Sequence, residues 1–266
     1  MTKETAAIIK HYSVDDLVDR ILRALAAAGH DTSHPTVDML NLADQMHGGG
    51  LNATKTQAEL AGIAAGMRVL DAGCGVGGSS RYLAHAYGCR VDAVDLTPLF
   101  VATAERLNAL CGISDMIAVR EASVTALPFE DRRFDHVWSQ NVTMNVADKR
   151  AMFAQAHRVL KPSGRFSFSH VALGPAGEPH YPLPWASDAS YSFLGRPEEI
   201  LQILRDVGFA NVANRSEISG PGTRPPNDLG AAVVMGTGMP QRQANAARSV
   251  KEGRLVPMLV IAERLA

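Results

Sequence analysis

Apolar residues recur at helical spacing over residues 13–28, where Val14, Leu17, Val18, Ile21, Leu22 and Leu25 share a face, Ser13 supplies an N-cap and Gly29 a stop. A polar, glycine-rich stretch follows, ending in Asp44-Gln45-Met46-His47-Gly48-Gly49-Gly50, and residues 54–65 read as a second helix. From there short apolar runs alternate with helical ones. Residues 67–71, 90–95, 116–120, 134–139 and 165–171 read as strands, and 79–87, 98–110 and 148–160 as the intervening helices. Residues 173–191 break the pattern with prolines, glycines and aromatics and read as an irregular insertion rather than a packed element. Residues 197–207 and 241–251 read as helices, and 211–218 and 255–262 as the last strands. Strand-helix alternation of this kind implies right-handed crossovers. The expected fold is a doubly wound, mostly parallel, seven-stranded α/β sheet over residues 66–266. A helical cap segment, residues 1–65, precedes it, and the insertion covers about residues 173–194.

Composition narrows the function without naming it. The 266 residues, 46% of them hydrophobic, suit one enlarged domain better than two. A formal charge of −1, from 26 basic and 27 acidic residues well interspersed, gives no face for gripping a phosphate backbone, so nucleic acid is not an expected partner. No apolar run approaches the roughly 20 residues that span a bilayer, and MTKETAAIIKHYS lacks the pattern of a secretory signal, so no membrane partner and a cytoplasmic location are expected. Cys74, Cys89 and Cys111 form no CxxC pair and read as small apolar filler, with no metal site implied.

The chemistry concentrates after the first strand. Gly73-Cys74-Gly75-Val76-Gly77-Gly78 lets the backbone pass close to a ligand and leaves helix N-terminal amides pointing at it. Asp95, ending the second strand, is placed to accept hydrogen bonds from both hydroxyls of a ribose. The glycines also satisfy GxGxxG, which leaves a dinucleotide-binding oxidoreductase open, as well as a tight turn without a ligand. Asp71, just before the turn, would repel a pyrophosphate and attract an amino-acid ammonium, which favours S-adenosylmethionine over NAD.

The runs VLDAGCGVGGSSRYLA (69–84), VDAVDLTPLFVATAERL (91–107), LPFEDRRFDHVWS (127–139) and RVLKPSGRFSFSH (158–170) resemble successive motifs of the class I S-adenosylmethionine-dependent methyltransferases. DQMHGGG (44–50), YPLPWASDASYSFL (181–194) and EGRL (252–255) are similar to the branch that contains the sarcosine and dimethylglycine N-methyltransferases. The resemblance implies a Rossmann-like methyltransferase sheet with S-adenosylmethionine as cofactor and S-adenosylhomocysteine as product. It implies that Asp71, Gly73 and Gly75 hold the methionine end, that Asp95 holds the ribose and Leu96 one adenine face, and that Gln140 lies beside the methionine moiety. Ser123 stands where the family more often has Asp reaching the adenine amino group; its hydroxyl can still bond there, with the Val124 amide as a further contact. LKPSG replaces the usual LKPGG.

In open α/β sheets ligands lie beyond the carboxyl ends of the strands, so a small-molecule acceptor should be enclosed by the N-terminal segment, the loop after Gln140 and the insertion. Tyr12, Asn141, Met144, Asn145, Tyr181, Trp185 and Tyr191 are the candidate acceptor contacts. In the manner of related enzymes Tyr12 could instead fold over the cofactor. Methyl transfer from a sulfonium chiefly needs positioning, so a base is optional; His47 or His170 could take a proton from an amine, or be satisfied by local hydrogen bonds. The expected activity is methyl transfer to a nitrogen of a small metabolite, with oxygen or carbon methylation of a natural-product intermediate as the alternative. A non-catalytic binding module is the alternative of another class. A homo-oligomer is left open.

Overall fold

Runs of valine, leucine and phenylalanine that are buried on both sides form the centre of a sheet, and amphipathic helices cover its two faces. The computed structural model describes residues 17–216 and 224–266. In chain order these form α1 (Leu17–Ala27), α2 (Val37–Leu40), α3 (Gly50–Ala61), β1 (Arg68–Ala72), α4 (Gly78–Tyr87), β2 (Arg90–Asp95), α5 (Pro98–Leu110), β3 (Ile117–Glu121), β4 (Phe134–Gln140), α6 (Lys149–Val159), β5 (Leu160–Leu173), α7 (Pro197–Asp206), β6 (Phe209–Asn214), α8 (Ala232–Met235), α9 (Met239–Lys251) and β7 (Leu255–Arg264).

Among the described residues seven strands make one sheet in the order β3-β2-β1-β4-β5-β7-β6. The pairs from β3 to β5 are parallel, while β7 runs antiparallel between β5 and β6. Strand alternation sends Leu70, Val137, Phe166 and Phe168 to one face, where they pack with Phe153 of α6 and Leu204 of α7. Val69, Val91 and Trp138 point to the other face, against Ala58 of α3 and Leu83 of α4. The order reverses at β1, between β2 and β4, and that is where an open sheet leaves a crevice at its carboxyl edge.

Several boundaries differ from the sequence expectation. The second helix spans Gly50–Ala61 rather than 54–65, because Gly62 takes φ +69° and turns the chain out of the helix. β5 starts at Leu160: the Lys161-Pro162-Ser163-Gly164 run is carried in the strand, with Ser163 at φ +63° where its pairing with β4 shifts register. The sixth strand ends at Asn214, and residues 217–218 of the expected strand lie outside the described residues. The insertion is irregular yet packed: Leu183, Trp185, Ala186 and Leu194 are buried in a cluster with Met144 and Leu255. No helix among the described residues is long and apolar enough to cross a membrane.

Candidate functional site

The turn between β1 and α4 is shaped by glycines that no other residue could replace without displacement. Gly73 sits at φ +88°, and a Cβ there would overlap the Val142 side chain. A Cβ on Gly78, the first residue of α4, would lie 2.8 Å from the backbone carbonyl and from the carboxylate of Asp44. The turn is drawn tight by hydrogen bonds: the Gly73 and Cys74 amides donate to Val94 O at 2.8 and 2.9 Å, and the Gly75 amide donates to Asp95 Oδ2 at 2.9 Å.

A cavity of about 770 Å³ opens over this turn, at the carboxyl edge of β1, β2 and β4. Asp95 enters it with Oδ1 accepting from the Thr97 amide at 2.9 Å, which leaves further lone pairs on both oxygens. Burial raises its carboxyl above the ordinary range against the pull of these backbone amides. Asp71 is 1% exposed and accepts from Ser80 Oγ at 2.6 Å. Burial pushes its carboxyl up to about 7, with the Ser80 bond opposing and the Asp95 charge adding to the rise. Asp71 has no cationic side chain as partner among the described residues, so an ammonium group fits beside it.

Of the residues singled out in the sequence, Asp71, Gly73, Gly75, Asp95, Leu96, Ser123, Val124, Gln140, Asn141, Met144, Asn145, Trp185 and His47 all line this one cavity. Ser123 Oγ lies 2.8 Å from Thr125 Oγ1 and accepts from the Thr125 amide, so its hydroxyl is committed to its own turn. Gln140 Oε1 accepts from Ser79 Oγ, which fixes the side chain against α4. His47 Nδ1 donates to Gly48 O at 3.2 Å, and its Nε2 lies 3.1 Å from Thr54 Oγ1. Burial lowers its pKa to about 4, so it stands neutral at pH 7 and is a weak base.

Three candidates do not reach the cavity. His170 is 1% exposed, and alternation along β5 turns it to the face of Phe166 and Phe168, away from the neighbouring cavity residue Val171. Neither of its ring nitrogens has a hydrogen-bond partner among the described residues, and burial, followed by the Lys149 charge, lowers its pKa to about 3. It is a buried core histidine rather than a base facing the acceptor. Tyr181 packs behind the wall, against the cluster of Met144 and Trp185. Tyr191 is 37% exposed on the surface of the insertion. Tyr12 lies outside the described residues.

The structure adds residues that sequence reasoning passed over. Arg81 of α4 is fully buried and pairs with Asp44 at 2.9 Å, while its guanidinium also donates to Val76 O and Asn108 Oδ1. This ties the Asp44-Gln45-Met46 segment to the glycine turn; only the segment's resemblance hinted at its place. Arg224 pairs with Asp228 and donates to the carbonyls of Gln45 and His47, and with Met239, Gln243 and Ala246 it closes the cavity from the far end of the chain. Lys149 Nζ donates to Val146 O at 2.8 Å and to Phe193 O, joining the loop after β4 to the end of the insertion.

Comparison with known proteins bears on this geometry. Residues 70–168 match the family described as Methyltransferase domain. The sarcosine/dimethylglycine N-methyltransferase of Halorhodospira halochloris is 34% identical over 144 residues, covering 54% of this chain and 52% of that protein. The chain spans about half, or less, of the length of the curated relatives it matches. Geranyl diphosphate C-methyltransferase from Streptomyces coelicolor A3(2) superposes with a TM-score of 0.71 at 20% identity, covering 99% of both chains. Phosphoethanolamine N-methyltransferase 2 of Haemonchus contortus, solved with phosphomonomethylethanolamine and S-adenosylhomocysteine, superposes with a TM-score of 0.66 at 20% identity, covering 84% of this chain and 55% of that one.

Proposed function

We infer that this chain, whose residues 70–168 match a methyltransferase domain and lie in a seven-stranded sheet, transfers the sulfonium methyl group of S-adenosylmethionine to a nitrogen of a small-molecule acceptor. The observation that carries the reading is the cavity with Asp71 and Asp95 on either side of the glycine turn. When bound, S-adenosylmethionine supplies an electrophilic methyl carbon on a positively charged sulfur. The Asp71 carboxylate would attract the ammonium of the methionine end, and the amides of the first turn of α4 would face its carboxylate. Asp95 accepts from the ribose hydroxyls on lone pairs that the Gly75 and Thr97 amides leave open. Leu96 and Val124 line the cavity where they would flank the base, and the Val124 amide would be its hydrogen-bond donor. Ser123, bonded to Thr125, contributes less.

In-line displacement then depends on holding the acceptor lone pair near the methyl carbon in a site closed to water. Gln140 lines the cavity beside the methionine end, and Asn141 and Asn145 of the loop after it would orient the acceptor, while neutral His47 offers a hydrogen bond rather than proton removal. The acceptor therefore reacts as the neutral amine, and the proton of the methylated product leaves to solvent. The named chemistry of two similar proteins, on sarcosine/dimethylglycine and on phosphoethanolamine, supports nitrogen as the acceptor atom. Carbon methylation is the second reading, compatible with the weak basicity of His47: an alkene carbon has no proton to lose before attack, and the carbocation formed by attack would give up its proton to water; oxygen needs a stronger base.

Incubation with methyl-labelled S-adenosylmethionine and panels of amines, phenols and carbon nucleophiles separates these outcomes. Label in N-methyl products supports the reading. Label confined to oxygen or carbon products overturns the nitrogen assignment, and cofactor binding without transfer to any acceptor reduces the site to a binding module.

A further inference from the structure

The cavity changes character along the sheet. Asp71 and Asp95 stand at the ends of β1 and β2, whereas the part over β4, β5 and the insertion is walled by Met144, Val171, Trp185, Phe193, Met239 and Ala246. Four of these six, Met144, Val171, Trp185 and Ala246, belong to a single hydrophobic cluster. The Trp185 indole N–H, its one polar group, already donates to Ser192 Oγ at 2.9 Å.

Among the described residues this end offers no uncommitted cation. Among the described lining residues Arg224 is the only lysine or arginine, and its guanidinium is committed to Asp228 and to the carbonyls of Gln45 and His47. Asp148 stands exposed at the rim and caps α6 by accepting from the Ala151 amide at 2.8 Å. A carboxylate or phosphate brought here would lose its water without gaining a cation from the described residues, which costs several kcal/mol. An apolar body would instead exchange water for methionine, valine and aromatic contacts. The volume of about 770 Å³ is large enough to admit such a body beside a nucleoside.

We propose that the methyl acceptor is an uncharged molecule with a predominantly apolar body, larger than an amino acid, whose body lies against the Met144–Trp185–Ala246 wall. This rests on the methyl-transfer reading and narrows it: the acceptor class differs from the amino acids and phosphoesters named for similar proteins.

The test is calorimetric titration of the whole protein, saturated with S-adenosylhomocysteine, with farnesol, N-methyldodecylamine, dimethylglycine and phosphoethanolamine. Emission of the two tryptophans, one of them in the wall, gives a second readout. Farnesol or the uncharged form of N-methyldodecylamine should bind saturably, whereas dimethylglycine and phosphoethanolamine should not bind. Ala246→Phe, which fills the chamber, should weaken the apolar probes by about tenfold or more while S-adenosylhomocysteine affinity stays within about twofold. Met239→Asp, which charges the wall, should do the same if the first variant fails to fold, with S-adenosylhomocysteine binding reporting the fold. Tighter binding of dimethylglycine or phosphoethanolamine than of either apolar probe overturns the proposal, as does apolar binding that both folded variants leave unchanged. Absence of S-adenosylhomocysteine binding to wild-type protein overturns the methyl-transfer reading itself.

Discussion

Replacing Asp71 by Asn removes one charge from the cavity while keeping an oxygen to accept the Ser80 hydrogen bond. The wild-type carboxyl has an ordinary value of 3.8 and a folded value of about 7. Between these pH values the unfolded chain ionises and the folded one does not. The ligand-free protein therefore loses stability as pH rises from about 4 to 7, by up to about 4 kcal/mol. Asp71→Asn escapes that loss and should be the more stable protein at pH 8. Ligand affinity should move the other way. An ammonium beside Asp71 favours the ionised form, of which about a tenth is present at pH 6 and about nine tenths at pH 8, so wild-type affinity for S-adenosylhomocysteine should rise about tenfold across that window. Losing a charged hydrogen bond costs about 1.5–3 kcal/mol, so the variant at pH 8 should bind about 10- to 100-fold more weakly, with little dependence on pH. Calorimetry at pH 6, 7 and 8, with denaturant melts of both ligand-free proteins from about pH 4 to 8, reads all of this. A flat wild-type profile, or a variant that keeps the wild-type slope, would refute the assignment of the ammonium to Asp71.

Three further substitutions probe the scaffold. Arg81→Leu strands the buried Asp44 carboxylate and should lower unfolding stability by about 3–5 kcal/mol; a loss under about 1 kcal/mol in urea titration would show that the pair is dispensable. Gly73→Ala forces a Cβ into Val142 at φ +88° and should cost about 1–3 kcal/mol together with cofactor affinity, so unchanged S-adenosylhomocysteine binding would contradict the close-approach role of this glycine. Lys149→Met releases the carbonyls of Val146 and Phe193 and should raise the acceptor KM while leaving the S-adenosylhomocysteine dissociation constant unchanged; equal losses in both would mean that Lys149 serves general stability instead.

The sheet was legible because its strands are short apolar runs between glycine and proline punctuation, and β2 falls at the expected Arg90–Asp95. That Asp71, Asp95 and the glycines share one cavity was legible for a related reason: they sit next to strand ends, so local sequence already determines where they project. Period-two alternation also applies to His170, which shares the face of Phe166 and Phe168, but its short distance from the carboxyl end of β5 outweighed that signal in the sequence reading. The insertion resisted for another reason. Whether Trp185 faces the cavity while Tyr181 packs behind it depends on contacts with Met144 and α9, more than 30 residues away along the chain in each direction, and local pattern carries no record of these. The same holds for Met239, which lies outside the expected 241–251 helix, and for Gln243 and Ala246 within it: they reach the cavity only because β7 brings α9 back over β5.

The most direct test of the account is isothermal titration of S-adenosylhomocysteine into wild-type protein and into Asp95→Ala. Saturable binding to the wild type, weakened by about tenfold or more in the variant, is the predicted result, because the carboxylate that bridges the Gly75 and Thr97 amides would also hold the ribose. Absence of binding to wild-type protein, or equal affinity in the two, would contradict it.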